Sequence, residues 1–319
     1  MTGRPRALIV AGPTASGKSA LALALAARKP AVIVNADAMQ TYRELRILTA
    51  RPSEADMAAA PHVLYGVRAI DRPATAAWWR AAALVEMEAA RQLGRVPILC
   101  GGTGMYLAAL IDGLAEIPDP GPAARAEARA LLAEIGPAAL HARLRVLDPL
   151  TAAKLRPSDP QRLARAWEVL RGTGHGLAFW QAQPVQGADW DFAAIVLDPS
   201  RPDLRAALAA RFDAMMAEGA LDEVAALAAR SLDPALPGLR AHGVPELLAY
   251  LAGTLSLTEA RIRAIAAIGQ YTRRQATWLR HHVLAPPART HMIHARYADL
   301  TQFSERMIAE IFAFIEGDA

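Results

Sequence analysis

Short apolar runs alternate with longer helix-like stretches through the first third of the chain. The runs have the length of buried strands, and the longer stretches are stopped at residues such as Pro30 and Gly94. Strands that alternate with helices in this way predict a parallel sheet covered by helices on both faces. The predicted strands are Ala7–Ala11, Ala31–Asn35 and Val96–Cys100. The predicted helices are Leu21–Ala27, Trp78–Leu93 and a segment that ends at Ile111.

A proline-rich break interrupts this pattern at Ile117–Pro122, which holds three prolines and a glycine. Beyond it the spacing is helical as far as about Gly172, and a further strand is predicted at Phe192–Leu197. We therefore predict an all-helical insertion within the sheet domain. The predicted boundaries are residues 1–120 and 190–319 for the sheet domain and 121–189 for the insertion. Two long helices are predicted after it, Leu204–Arg230 and Leu257–His282.

The composition fits a soluble globular protein and excludes several kinds of site. Of the 319 residues 53% are hydrophobic and 21% are charged, and the formal net charge of +4 permits a polyanionic partner without requiring one. The single cysteine, Cys100, excludes a disulfide within the chain and a zinc site built from several cysteines. Because no apolar run is long enough for a signal peptide or a membrane span, we expect a cytoplasmic protein with no membrane partner.

One motif indicates a phosphate-binding loop. The segment Gly12-Pro13-Thr14-Ala15-Ser16-Gly17-Lys18-Ser19 matches the P-loop pattern in full, and it follows a predicted strand and opens a predicted helix. In such a loop the glycines let backbone N–H groups converge on phosphate oxygens, and the helix N-terminus adds partial positive charge. Lys18 supplies a full charge, and the Ser19 hydroxyl can bind Mg²⁺. The motif predicts a site for a pyrophosphate-like group but does not identify the compound that carries it.

Two further polar residues follow predicted strands. Ligands of open parallel sheets bind at the carboxyl ends of strands, so these residues should lie beside the P-loop. Asp37 comes just after the second strand, where a carboxylate could bind a metal, accept a proton or cap the next helix. Thr103, in Gly101–Gly104 after the third strand, could direct its hydroxyl at a phosphate or cap a helix. Each taken alone fits a cap equally well, but the two together beside a P-loop favour a functional site.

The last long helix combines a buried stripe with a basic and aromatic face. Apolar and small residues recur at spacings of three and four along Ile265–Leu279, and Arg273 falls off that stripe. Tyr271, Arg274 and Trp278 share one face of the helix. Arginines beside aromatic side chains suit phosphate contacts and base stacking in RNA, although a basic face is often merely solvated.

With these segments in place, the sequence resembles the bacterial tRNA dimethylallyltransferases over most of its length. The P-loop is similar to that family's Gly-Pro-Thr-Ala-Ser-Gly-Lys-Thr, with Ser19 in place of the final threonine. Seven other segments are similar to the family's signatures and occur in the family's order: Asn35–Tyr42, Thr49–Pro52, Gly101–Thr103, Asp159–Ala166, Arg211–Met216, Arg240–Gly243 and Gln270–Trp278. The chain departs from the signatures with Ala38 for serine, Leu48 for glycine, Val244 for tyrosine and Arg273 for lysine.

The resemblance implies both a fold and an activity. The fold would be α/β, a P-loop NTPase-like parallel sheet flanked by helices, with the helical insertion contacting tRNA. The enzyme would transfer a dimethylallyl group from dimethylallyl pyrophosphate to the exocyclic N6 amine of the adenosine immediately 3′ of the tRNA anticodon, releasing pyrophosphate. A stacked base is out of reach, so it would be flipped into a channel through the enzyme. Mg²⁺ would be the cofactor, the tRNA anticodon stem-loop the partner, and a monomer the expected state.

The resemblance also implies a role for each matched residue. Asp37 would be the general base on the amine, and Thr103 would hydrogen-bond the bridging oxygen that breaks from carbon. Pyrophosphate would be bound by Gly12, Thr14, Ala15, Ser16, Gly17, Lys18, Ser19 and Arg211, with Ser19 also binding the metal. The residues expected to contact tRNA are Asp37, Ala38, Met39, Gln40, Gln161, Arg162, Arg165, Arg240, Gly243, Gln270, Arg273, Arg274, Gln275 and Trp278.

Three other functions stay open on the sequence. A P-loop nucleoside or nucleotide kinase would use the loop equally well, but it would consume ATP and leave the insertion and the basic helix unexplained. A prenyltransferase of free adenine nucleotides would not need the insertion. A nucleotide-gated RNA-binding protein without chemistry would leave Asp37 with no role.

Overall fold

The computed structural model describes residues 3–316 of the chain, and its centre is a six-stranded sheet. The strands are β1 Arg6–Ala11, β2 Ala31–Ala36, β3 His62–Val63, β4 Val96–Gly101, β5 Asp191–Leu197 and β6 Thr290–Ile293. Their order is β3-β2-β4-β1-β5-β6, and every pairing is parallel. The predicted parallel sheet is confirmed.

The central strands are buried almost throughout, which is why the sequence presents them as continuous apolar runs. The edge strands β3 and β6 were not predicted. They are only two and four residues long and partly exposed, so no apolar run marks them.

Helices cover the sheet and form the remainder of the fold. Their bounds are α1 Lys18–Ala26, α2 Glu54–Ala59, α3 Ala76–Gln92, α4 Gly104–Ile111, α5 Gly121–Leu147, α6 Pro149–Ala152, α7 Pro160–Thr173, α8 Leu177–Gln181, α9 Arg201–Ala217, α10 Ala220–Ala228, α11 Val244–Leu251, α12 Leu257–His281 and α13 Glu305–Glu316. The single helix predicted over Leu204–Arg230 is wrong, because α9 ends and α10 begins around Gly219. That glycine has φ 99°, a left-handed conformation that interrupts a helix.

The chain divides into two compact units. The first contains the residues up to Ile111 together with those from Ala188 onward, and the second is Asp112–Gly187. The second unit begins before the predicted residue 121 because the proline-bearing connection packs with it. A Cβ on Gly172 would lie 2.2 Å from the carbonyl oxygen of Pro120, so the two backbones touch.

The second unit has its own small core between α5 and α7, with Leu140, Leu144 and Leu163 fully buried. Its α5 is kinked at Gly136, which has a non-helical φ of 76° and is followed by Pro137.

In the first unit α12 provides a long buried stripe, as its spacing predicts. Ser256 caps it and exchanges hydrogen bonds with Glu259. The buried residues of the helix are Ala260, Ala264, Ile268, Thr272, Gln275 and Leu279. None of the helices between residues 3 and 316 is long and apolar enough to cross a membrane.

Candidate active site

The P-loop joins β1 to α1, and β1 lies between β4 and β5 in the sheet. The loop therefore lies at the carboxyl edge of central strands, where doubly wound sheets bind ligands. Two of its residues have left-handed backbone, Ala15 with φ 66° and Gly17 with φ 91°. Ser16 is fully buried, and its Oγ has no hydrogen-bond partner within the described part of the chain.

A cavity opens beside this loop. Its polar wall is formed by Thr14, Lys18, Ser19, Asp37, Gln40, Thr49, Arg211, His242 and Tyr271. Its apolar wall is formed by Met39, Leu48, Leu208, Phe212, Met215, Ala241 and Ile268. The cavity thus brings the P-loop together with Asp37 and Arg211, which the sequence separates by 174 positions (211 minus 37).

Two cations line the cavity, and the Lys18 ammonium donates to the Pro13 carbonyl oxygen at 3.4 Å. Burial lowers the pKa of Lys18, and the nearby Asp37 charge opposes that shift. Burial also lowers the pKa of the Arg211 guanidinium, again opposed by Asp37. The Nε of Arg211 is buried without a hydrogen-bond partner among residues 3–316. A buried donor without an acceptor is costly, so this wall suits an anionic ligand.

Asp37 is held firmly at the end of β2. The fully buried Asn35 accepts the backbone N–H of Asp37 at 2.8 Å and donates its own amide to the Asp37 carbonyl oxygen at 3.0 Å. The Asp37 Oδ1 accepts the N–H of Met39 at 3.0 Å. Asp37 thus makes a capping-type hydrogen bond to the short 3₁₀ helix Met39–Thr41, whose cap position itself is occupied by Ala38, and the residue still lines the cavity.

Thr103 connects two strand ends. Its Oγ1 accepts the N–H of Ala38 at 2.9 Å, and its own N–H donates to the Ala36 carbonyl oxygen at 3.2 Å. Burial raises the pKa of the neighbouring Tyr271 phenol to about 12, the Asp37 charge adds to the shift, and a hydrogen bond from Thr103 opposes it. Thr103 accordingly fixes the turn that carries Asp37, and contact with a bridging oxygen stays a prediction.

The Gln275 side chain is buried beside the P-loop and not on the surface where a tRNA contact was expected. We predicted a contact with tRNA, but the side chain is only 4% exposed. Its Oε1 accepts the N–H of Thr14 at 2.9 Å, and its Nε2 donates to the Gly102 carbonyl oxygen at 2.9 Å. The amide therefore joins the P-loop to the turn after β4, and the residue positions the phosphate site.

Three other residues expected at the tRNA support the cavity. Gln40 is buried and donates to the carbonyl oxygens of Thr49 and Ala50, both at 2.9 Å. Gly243 has φ 96°, and an added Cβ would lie 3.0 Å from Leu48 and 3.3 Å from Phe212. The third, Ala38, donates its N–H to Thr103 as described above. Ala38 and Gly243 shape the site from behind its wall, while Gln40 and Met39 line the cavity itself.

The outer face of α12 forms an open basin that is basic and aromatic. It is lined by Gln270, Arg273, Arg274, Thr277, Trp278, His281 and His282. Arg273 and Arg274 are exposed, and the Arg274 guanidinium lies 5.6 Å from the centre of the Tyr271 ring. The Trp278 ring stacks on His282 at 4.2 Å. Arg240, from the turn before α11, is also exposed.

In the second unit the expected tRNA contacts lie at the start of α7. Gln161 and Arg162 are exposed, and Asp159 caps the helix by accepting the Arg162 N–H at 3.1 Å. Arg165 pairs with Glu168 at 3.3 Å, with 41% of the arginine side chain exposed. Arg162 also pairs with Asp159, at 3.5 Å. Ion pairs that solvent reaches are weak, so the exposed Arg162 can exchange its carboxylate partner for a phosphate.

Comparison with known proteins places the chain in a family. The family model described as IPP transferase matches residues 40–282. The chain belongs to the IPP transferase family. Among curated IPP transferase relatives, the tRNA dimethylallyltransferase of Acidiphilium cryptum is 63% identical over 99% of both chains, and that of Granulibacter bethesdensis is 57% identical over 98% of both. A solved tRNA isopentenylpyrophosphate transferase from Bacillus halodurans is 29% identical, with a TM-score of 0.68 over 98% of this chain and 96% of that one.

Sequence reasoning missed the apolar wall of this IPP transferase cavity. Leu208 and Met215 lie three residues before and four residues beyond Arg211 on α9, so helical spacing could have placed them on its face. Leu48 gives no such signal, because its loop is positioned by Glu223, whose carboxylate accepts the N–H groups of residues 46, 47 and 48. Those contacts span more than 170 positions of the chain.

Proposed function

We propose that this protein is a tRNA dimethylallyltransferase. It would transfer the dimethylallyl group of dimethylallyl pyrophosphate to the N6 amine of the adenosine 3′ of the anticodon, and release pyrophosphate. The observation that carries the proposal is the pairing, in one cavity, of a cationic phosphate wall with an apolar wall. A pyrophosphate attached to a short hydrocarbon fits both walls. The family and its curated relatives support the same activity. As part of this proposal the enzyme acts in the cytoplasm, where tRNA is found.

The donor would bind with its pyrophosphate on the P-loop. Backbone N–H groups and the amino end of α1 supply partial positive charge, and Lys18 and Arg211 supply full charges. As the C–O bond breaks, its electron pair passes to the pyrophosphate oxygen, and both cations stabilise the developing charge. The dimethylallyl carbon would lie against Phe212 and Met215 on the apolar wall.

The acceptor would reach the cavity as a flipped adenosine. Its N6 forms the new bond to the dimethylallyl carbon while the Asp37 carboxylate takes the N6 proton. Since that nitrogen's lone pair is delocalised into the ring, a positioned base is worth about 10²–10⁴-fold in rate. Asn35 and Thr103 hold the Asp37 turn, so the carboxylate meets the amine without rearrangement.

Mg²⁺ fits the oxygen donors at this site. The described residues contain no group of three or more His, Cys, Asp or Glu side chains that could hold a metal. The Ser19 hydroxyl, which lines the cavity, is a hard oxygen ligand of the kind Mg²⁺ prefers. The ion would take its other ligands from pyrophosphate and water, and when bound it neutralises charge on the leaving group.

The donor test separates this proposal from a kinase. The protein is incubated with Mg²⁺, unmodified tRNA and dimethylallyl pyrophosphate, ATP or both, and the digested nucleosides are analysed by mass. We expect dimethylallyladenosine with the prenyl donor alone and no product from ATP. Phosphate transfer to a nucleotide, or prenylation that requires ATP, would contradict the proposal. A free adenine nucleotide in place of tRNA serves as the control acceptor and should stay unmodified.

A further inference from the structure

The P-loop has a strained backbone in its middle. Ala15 is a non-glycine residue with φ 66° and is buried, and Gly17 follows with φ 91°. Such conformations persist only where surrounding structure holds them. On one side Gln275 holds the loop through Thr14. The other side of the loop is held by a segment that the proposed mechanism has not used.

That segment is Arg296–Tyr297, the brace, which follows β6. The Nε of Arg296 donates to the carbonyl oxygen of Ala15 at 2.9 Å, and the backbone N–H of Tyr297 donates to the carbonyl oxygen of Ser16 at 2.9 Å. Contact is close, because a Cβ on Gly17 would lie 2.8 Å from the Tyr297 carbonyl oxygen. The brace therefore donates hydrogen bonds to two successive carbonyl oxygens of the loop, those of Ala15 and Ser16.

The brace is itself anchored. Gln302 donates its Nε2 to the Arg296 carbonyl oxygen at 2.9 Å and accepts the Ala298 N–H at 2.7 Å. The Tyr297 ring lies 6.1 Å from the ring of Phe303, which is 6% exposed in the core beside β1. A segment fixed at both its backbone and its ring can hold the loop without a ligand.

Peptide geometry links this contact to phosphate binding. In a trans peptide the C=O of one residue and the N–H of the next point in opposite directions. All peptides of the described chain are trans. Holding the Ser16 carbonyl against Tyr297 therefore turns the Gly17 N–H away from the brace and leaves it free to donate to a phosphate bound in the loop.

We propose that Arg296 is a positioning residue for the pyrophosphate group of the donor. Together with the Tyr297 backbone it holds the P-loop in its binding conformation before the donor arrives, which removes an ordering cost from binding. The inference rests on the proposed function, because it assigns Arg296 to the same phosphate site.

Calorimetry with inorganic pyrophosphate and steady-state kinetics with dimethylallyl pyrophosphate test the brace. The variants are Arg296→Ala, the charge-preserving Arg296→Lys, and Arg306→Ala as a matched control, an exposed arginine of the same C-terminal region. We expect Arg296→Ala to weaken pyrophosphate binding and raise the donor KM by about tenfold, the worth of one charge-assisted hydrogen bond. Arg296→Lys should recover part of the loss, and Arg306→Ala should match the wild type. At saturating donor, kcat and the KM for tRNA should stay unchanged.

High salt separates the brace from a simple charge effect. Salt screens the attraction between a distant positive charge and pyrophosphate. If Arg296→Ala still binds pyrophosphate more weakly than the wild type at about 1 M salt, the loss supports positioning rather than charge. A donor KM within twofold of the wild type, a deficit that disappears in salt, or parallel losses in kcat and in the KM for tRNA would each overturn the inference. If the wild type itself fails to bind pyrophosphate, the proposed function fails instead.

Discussion

The Asp37 carboxylate serves structure and chemistry at once. Its Oδ1 accepts the Met39 N–H as a cap would, while the side chain lines the cavity near Lys18 and Arg211. Asparagine preserves the capping oxygen but cannot accept a proton at neutral pH. The Asp37→Asn substitution therefore separates the two roles.

We expect Asp37→Asn to lower kcat by about 10²–10⁴-fold, because it removes the base and retains the turn. The affinities for donor and tRNA should change little. Single-turnover prenyl transfer, with both substrates saturating, measures the effect. Asp233→Asn is the matched control, since Asp233 also accepts a backbone N–H two residues on, from Ala235 at 2.8 Å, and does not line the cavity. Near-normal turnover in Asp37→Asn would show that Asp37 is not the general base and that its carboxylate only holds the turn.

Among the elements, α12 has two faces with different proposed roles. Its buried face places Gln275 against the P-loop, and its outer face presents Arg273 and Arg274 beside Trp278. The first face positions the donor site, and the second has the composition that contacts RNA. The two functions should therefore respond to different substitutions on the same helix.

We expect the double variant Arg273→Gln, Arg274→Gln to weaken tRNA binding and to flatten its dependence on salt. Each phosphate contact contributes about 0.7–0.9 to the slope of log affinity against log salt, so the slope should fall by about 1.5. Donor binding should be spared. The matched control is Arg261→Gln, Arg263→Gln, which removes two charges from the start of α12, outside the basin.

Filter binding over a salt series measures both slopes. An unchanged slope of log affinity against log salt in the basin variant would mean that Arg273 and Arg274 are merely solvated and do not contact tRNA. Equal losses in basin and control variants would point to net charge rather than contact. The same comparison applied to Arg162 and Arg165 tests the second unit separately.

The sequence predicted those elements that carry a local signal. The P-loop motif and the long apolar strands are encoded within a few residues, and both are found where expected. The break at Gly219 was missed because a glycine within a helical pattern does not by itself end a helix. The short edge strand β6 was missed because its side chains are half exposed. Gln275 was assigned to RNA from the family resemblance, and its contact with the P-loop was missed because the two residues are 261 positions apart.

At the scale of the molecule, two separately packed units divide the chain. All residues that line the cavity belong to the first, and the second has a core of its own between α5 and α7. We propose that the cavity receives the adenosine immediately 3′ of the tRNA anticodon. The arginines proposed to contact tRNA are tested in each unit separately.

A pair of tRNA transcripts that differ at one nucleotide tests which base the cavity receives. One carries adenosine immediately 3′ of the anticodon, and the other carries guanosine there. Both are incubated with the wild-type protein, Mg²⁺ and radiolabelled dimethylallyl pyrophosphate, and the labelled nucleotide is mapped after digestion. We expect label at that adenosine in the first transcript and none in the second. Equal labelling of both transcripts, or labelling of neither, would contradict it.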